Sequence, residues 1–315
     1  MKKTILSIFS FLVIFSLFVI SCKKKDQDPK PDNTEYTNTA NDQANVNVES
    51  DEIANMADDA FTNSELAGAR LNGTSTIDIC GASADVNTST KKITLTFDGE
   101  TPCVNNTRKR SGVIEIQLTN GDNWNQQGAV INITFNNYKV TRISDGKSVV
   151  FNGSKSITNV NGGLIRKLIP NVGSVTHKIE SNNAMTLTFD DGTQRVWSTN
   201  RTRVITKTGT DQYSGSVTGN ATVATDNNVA FWGTNRKGNA FRTVLNTELL
   251  WSTCTGAPRI ISGQATHKGP LYAITVTYGV NQDGSVATPP SCSSYGYKLN
   301  WVGLDGKPNQ AVVSY

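Results

Sequence analysis

Four cysteines, two histidines, one pair of adjacent carboxylates and two tryptophans in polar company are the residues here whose types and spacings suit chemistry. Of the five cysteines, Cys22 stands alone near the N-terminus, and Cys80, Cys103, Cys254 and Cys292 form an even set. In an exported chain such a set reads as two disulfides, with three pairings open. Zinc would want ligands two to four residues apart, a spacing that no cysteine pair has. Neither histidine lies close in sequence to a cysteine, so no metal and no cofactor are expected. His177 and His267 would have to serve any Ser-His-Asp triad. Both sit in Thr-His-Lys strings that read as strand ends, with the ring at the surface. A glycosidase needs two carboxylates facing each other across a sugar. Asp190-Asp191 is the one adjacent acidic pair in the β-rich part, and Asp191-Gly192 reads better as a turn. Gly-x-Ser-x-Gly, His-Glu-x-x-His and a phosphate-cradling glycine loop are all missing from the sequence. The weight falls against catalysis, and a hydrolase acting on envelope or environmental glycans is kept as the alternative.

Binding has better candidates. Trp124 lies in Asn120-Gly121-Asp122-Asn123-Trp124-Asn125, where an indole has no obvious buried face. Trp197 has Arg195, Arg201 and Arg203 around it, an aromatic ring with cations near. These five residues are the expected ligand contacts. The bland readings are core packing for the rings and protection of an edge strand for the charges. Arg108-Lys109-Arg110 reads as a solvated turn, and no nucleic-acid partner is expected, since that needs clustered basic residues on a strongly basic domain. Removing Lys2 and Lys3 from the 30 basic residues leaves 28 against 26 acidic ones, close to neutrality.

The elements that must hold these residues read as strands. Ile114, Ile116 and Leu118 alternate with Glu115 and Gln117, and Ile131, Ile133 and Phe135 alternate with Asn132, Thr134 and Asn136. Phe241, Thr243, Leu245, Thr247, Leu249 and Trp251 share one parity of a longer run. Period-two alternation marks strands with one wet face. Asp98-Gly99, Asn120-Gly121, Asp145-Gly146, Asn152-Gly153, Asn161-Gly162, Asp191-Gly192, Asp283-Gly284 and Asp305-Gly306 supply the positive φ of tight hairpins. The pattern predicts an all-β fold, an antiparallel meander forming a sandwich or an extended, curved sheet. One short N-terminal helix is expected: Ile53, Met56, Ala57, Ala60 and Phe61 make an apolar stripe, with Ser50 as N-cap and Asp51 and Glu52 in the first turn. It would plug an open end or edge of the sheet.

Ile93-Thr94-Leu95-Thr96-Phe97, Met185-Thr186-Leu187-Thr188-Phe189 and Ile274-Thr275-Val276-Thr277-Tyr278 echo one another, starting 92 and then 89 residues apart. A duplicated hairpin and simple recurrence of threonine-rich strands explain this equally well. Cys80 and Cys103 bracket the first copy, and Cys254 and Cys292 bracket the third, so the expected bridges are Cys80–Cys103 and Cys254–Cys292.

Ahead of all this, Lys2 and Lys3 precede an apolar run from Ile5 to Ile20, which ends in Ser21-Cys22. The run is 16 residues, short of the ~20 that span a bilayer comfortably. With its small residue before a cysteine, the segment resembles a bacterial lipoprotein signal with its lipobox. The resemblance implies cleavage before Cys22 and lipid attachment there. Lipoproteins of this type carry a diacylglyceryl group and an N-acyl chain, enough for stable anchoring. Lys23-Lys24-Lys25-Asp26-Gln27-Asp28 resembles the charged tethers that begin surface-exposed lipoproteins. Residues 1–21 are therefore expected to be the signal, 22–47 a lipidated disordered tether and 48–315 the all-β domain, with a break near 160–172 as a place where two sub-units would meet. Through its signal and tether, and beyond them through Thr-Arg-Lys-Arg-Ser-Gly (107–112) and the cysteine-bracketed hairpins, the chain is similar to all-β envelope lipoproteins of Gram-negative bacteria, a group with no activity to carry over. That resemblance implies an outer-membrane protein, lipid-anchored, on the periplasmic or the cell-surface face. The expected role is non-catalytic binding or structure, its partners the membrane and a glycan or an outer-membrane protein docked through a sheet edge.

Overall fold

The computed structural model describes residues 34–64, 66, 77–103, 106–254, 257–270, 272–303 and 305–315. Cys22, the expected signal and the first part of the expected tether lie outside the described residues. The fold is all-β and antiparallel with one N-terminal helix, α1 (Thr34–Thr62). The strands are β1 (Ala82–Asn87), β2 (Lys92–Asp98), β3 (Arg108–Asn120), β4 (Ala129–Arg142), β5 (Ser148–Asn159), β6 (Val175–Ser181), β7 (Met185–Phe189), β8 (Gln194–Gly209) and β9 (Gln212–Gly219). They continue as β10 (Ala221–Val223), β11 (Asp226–Thr234), β12 (Ala240–Leu245), β13 (Leu249–Cys254), β14 (Ala257–Lys268), β15 (Ala273–Val280), β16 (Gly296–Val302) and β17 (Pro308–Ser314).

All seventeen strands belong to one sheet. β1 to β5 run as a plain meander. β6 and β7 lie end to end between β5 and β8. β9 and β11 lie end to end on the far side of β8, with β10 a small arm paired to β11. β13 and β12 form the next row, followed by β14, β15, β16 and β17. Among the described strands, β1, β17 and the three-residue β10 pair on one side only. β5 and β6 pair directly across the stretch near 160–172, which holds a 3₁₀ turn at Ile165–Lys167, and residues 33–315 form one compact unit. The sheet runs unbroken through the place where a break was expected.

Most Asn-Gly and Asp-Gly pairs do lie in turns, with glycine φ between 71° and 92° at Gly99, Gly121, Gly146 and Gly162. Asn152-Gly153 is the exception. Gly153 sits inside β5 with φ 123°, opposite a register shift in β4 between Phe135 and Tyr138. There the Asn152 side chain accepts the Asn137 N–H at 2.9 Å, so the pair serves a bulge. The long run from Phe241 to Trp251 is likewise split, because Asn246 and Thr247 leave the strand and both donate to the Gln264 carbonyl.

α1 differs most from expectation. It begins at Thr34, so the portion of the expected spacer from 34 to 47 is helical and Ser50 is mid-helix, far from any N-cap. The helix has 29 residues, roughly 43 Å of length at about 1.5 Å each. Three consecutive residues show how it is held. Glu49 meets Arg110 of β3 and Tyr138 of β4. Ser50 meets Lys155 of β5, and Asp51 meets Arg201 and Arg203 of β8. Neighbouring helix residues point about 100° apart, so these strands approach from different sides and the sheet must curl around the helix. Val48 and Asn55, one heptad apart, mark the side left to solvent.

Ile53, Ala54, Ala57, Ala60 and Phe61 pack into one cluster with Ile93, Leu95, Ile114, Ile131, Ile133, Phe135, Phe151 and Trp197 from the inward face. The cores of helix and sheet are thus a single core. The threefold echo does not survive as architecture. The second copy, β7, continues the row of its predecessor β6, whereas the third, β15, forms a hairpin with its predecessor β14. Recurrence of threonine-rich strands is the better account.

Candidate functional site

Residues of β8 alternate faces, and Arg195, Trp197, Thr199, Arg201, Arg203 and Ile205 share the inward one, each buried. The expected contacts around Trp197 are therefore neither surface groups nor edge protection, since β8 is paired along both sides. Trp197 stacks on Phe231 at 5.5 Å between centroids. The Arg201 guanidinium lies 5.1 Å over Phe231, and that of Arg195 lies 4.6 Å over Phe241. Arg201 and Arg203 both donate to Asp51, at 3.3 and 3.2 Å, and Arg203 also donates to Asn55 at 2.8 Å. Arg236, between β11 and β12, holds Asp42 with two hydrogen bonds of 2.8 and 2.7 Å.

On the other flank, Arg108-Lys109-Arg110 begins β3 and is no solvated turn. Arg110 is buried and donates to Glu49 at 3.2 Å, while Arg108 reaches the other oxygen of Glu49 at 3.0 Å. The Tyr138 hydroxyl donates to Glu49 at 2.7 Å, and Glu52 accepts from Arg110. Burial opposes ionisation of Asp51, but Arg201 and Arg203 outweigh it and hold the carboxyl below its usual range. Burial and then the charge of Glu49 push Glu52 and Tyr138 upward. An acidic helix thus lies in a trough lined with arginine.

Trp124 is fully buried, which overturns its expected place on a polar surface loop. Its indole N–H donates to Asp58 at 2.8 Å, and its ring lies 5.3 Å from His177 and 6.3 Å from Phe61. The Asn159 side chain ties down the Trp124 carbonyl at 2.9 Å. His177 is buried rather than at the surface, and burial pushes its pKa down to about 3. Burial pushes Asp58 up to about 6. His267 also faces inward, bonded through Nδ1 to Thr243 at 2.9 Å, and burial lowers its pKa to about 4.

One pair with chemical potential was missed by the sequence reading. Lys155 is buried and donates to the Ser50 carbonyl at 2.9 Å and to its hydroxyl oxygen at 3.0 Å. Burial, then the nearby charge of Arg201, lowers the lysine to about 7. A neutral amine beside a hydroxyl is the arrangement of a general base and its nucleophile. Here both side chains are sealed in the core. The described cleft, about 920 Å³, lies elsewhere, beside the free edge of β1, between Asp78–Ser83 and Thr96–Asp98. Two carboxylates line it, Asp78 and Asp98. Asp98 accepts the backbone N–H groups of Glu100 and Thr101 in its own turn, and neither carboxylate belongs to the Lys155–Ser50 pair, so the pair and the cleft do not combine into one site.

Both expected disulfides are present, Cys80–Cys103 and Cys254–Cys292. Cys80–Cys103 fastens the approach to β1 to the loop after β2. Cys254–Cys292 fastens the end of β13 to the loop before β16. No family model matches the chain, and no curated protein and no solved structure matches it.

Proposed function

We propose that the chain is a lipid-anchored protein of the cell envelope, at the outer membrane, with a binding or structural role rather than a catalytic one. One observation carries the second half. The charged side chains that the sequence offered for ligands, Arg195, Arg201 and Arg203, face the protein's own helix, and the acids of that helix take up their charge. The tryptophans that would have made a glycan platform, Trp124 and Trp197, are interior. A protein partner meeting a sheet edge is therefore preferred to a glycan.

The anchoring half rests on Val19-Ile20-Ser21-Cys22 and is supported by two disulfides, which persist in oxidising compartments. Since α1 starts at Thr34, residues 23–33 alone separate Cys22 from the folded body. Fully extended, they reach roughly 40 Å at most, so the body would ride close over its membrane. The test is fractionation with labelled palmitate. Wild type should incorporate label and partition with membranes, and Cys22→Ser should do neither. Membrane partition and labelling by Cys22→Ser equal to wild type would end the anchoring claim. Turnover of an envelope polysaccharide, abolished by one carboxylate substitution, would end the non-catalytic one.

A further inference from the structure

The two longer edge strands, β1 and β17, are not alike. β1 (Ala-Ser-Ala-Asp-Val-Asn) carries Asp85 in its middle and is exposed on both faces from Ser83 to Asn87. Such a strand is protected against pairing by its own charge. β17 (Pro-Asn-Gln-Ala-Val-Val-Ser) has no charge at all. Its inward face continues the core: Val276 is opposite Leu299, which is opposite Ala311, and Tyr278 is opposite Tyr297, which is opposite Val313. Cover fades along these rows. Val276 is buried, while Leu299, Ala311, Tyr297 and Val313 are half-buried.

The backbone fixes which groups of β17 are free. Tyr315 N–H donates to the Tyr295 carbonyl, and Gly303 N–H donates to the Lys307 carbonyl. Antiparallel pairing alternates, so Asn309, Ala311 and Val313 point their N–H and C=O groups at β16. Pro308, Gln310, Val312 and Ser314 point theirs away from it. Pro308 has no N–H to offer. The available ladder is then Gln310, Val312 and Ser314, spaced symmetrically about Val312.

We infer that β17 is a self-association edge, pairing antiparallel with β17 of a second copy about a two-fold axis through Val312. In that register Gln310 faces Ser314 of the second copy, Val312 faces Val312, and every free donor and acceptor of the three residues is used. Ala311 comes opposite Val313 of the second copy, which extends cover over the half-buried rows. An uncharged strand does not repel its own copy. Pairing of β17 with β1 would instead be heterologous, opening the way to filaments, and would set Asp85 against an apolar face. One strand pair is a small interface, so the association is weak and concentration-dependent. The inference does not depend on lipid anchoring.

Cysteine cross-linking of the full chain reads the register directly. Under mild oxidation Val312→Cys should give a species of twice the 34.0 kDa monomer. Gln310→Cys alone should give none, but mixed with Ser314→Cys it should cross-link. In a concentration series by light scattering, wild type should rise in mass. Val312→Lys, which sets two like charges on the axis, should stay monomeric with an unchanged circular dichroism spectrum. Val312→Cys cross-linking no better than Val86→Cys on β1 would overturn the inference. So would cross-linking by Gln310→Cys alone as strong as that of Val312→Cys, or a wild type monomeric throughout.

Discussion

Glu49 of α1 and Arg110 of β3 lie 3.2 Å apart with their side chains 3 % and 4 % exposed, an ion pair inside the core between residues 61 apart in sequence. Arg108 and Tyr138 bind the same carboxylate, so Glu49 is the hub where helix and sheet are joined. Taking two charges out of water costs several kcal/mol each, and such a pair adds little net stability over a well-packed apolar one. Losing one member alone is another matter, since the survivor stays buried and unpaired.

Glu49→Leu should therefore destabilise the protein by about 3–5 kcal/mol. Replacing Glu49 and Arg110 together by leucine and methionine should cost less than the two single changes summed. Urea unfolding of the four proteins measures this. Additive losses would show that the pair is not coupled.

Lys155 makes stability rise on the alkaline side. Its folded value of about 7 lies below the ordinary 10.5, so between those two pH values the unfolded chain holds the proton and the folded one does not. Stability then increases as pH climbs from 7 to 10.5, by on the order of 4 kcal/mol. Lys155→Met should be folded at pH 7 and should flatten that rise. The readout is the denaturation midpoint at pH 7 and at pH 10.

Asp58 and His177 act oppositely in acid. With Asp58 raised to about 6 from 3.8, the folded state holds a proton that the unfolded state has lost, so its contribution falls as pH rises from 4 to 6. His177, lowered to about 3 from 6.5, contributes stability above pH 6.5 that is lost as pH falls towards 3. Asp58→Asn should therefore gain on wild type between pH 4 and pH 7 by about 2–3 kcal/mol. His177→Gln should lose less than wild type over the fall from pH 6.5 to pH 4. Thermal melts across this range would show both slopes, and parallel curves for all three proteins would refute the assignment.

The bridges close 23 and 38 residues of chain. Each should contribute roughly 3–4 kcal/mol by restricting the unfolded state. Replacing either cysteine pair by serines should lower the melting temperature. Reduction of wild type should lower it further than either replacement alone.

The strands, most turns and both disulfides were legible because each has a local signature. Ile131-Asn132-Ile133-Thr134-Phe135 declares its two faces within five residues, and the cysteines bracket strands on the page. The interior charges have no such signature. Arg201 and Arg203 look solvent-facing because their partner, Asp51, lies 150 residues away in sequence for Arg201 and 152 for Arg203. The start of α1 was hidden for the same reason. Thr34 to Asn47 carries no apolar stripe, and Asp42 is held by Arg236, 194 residues further on. Trp124 misled because its polar neighbours form the rim, while the ring turns inward to Phe61 and His177.

The ribosome makes α1 first and most of its counter-ions last. A nascent helix with Asp42, Asp51 and Asp58 uncompensated has little reason to persist until β6 and β8 have been translated, and the anchor of Asp42 comes later still. The sheet's hairpins pair neighbours in sequence, but docking of the helix must wait for contacts of very long sequence separation, which form slowly. The element nearest the N-terminus is thus among the last to be locked in place.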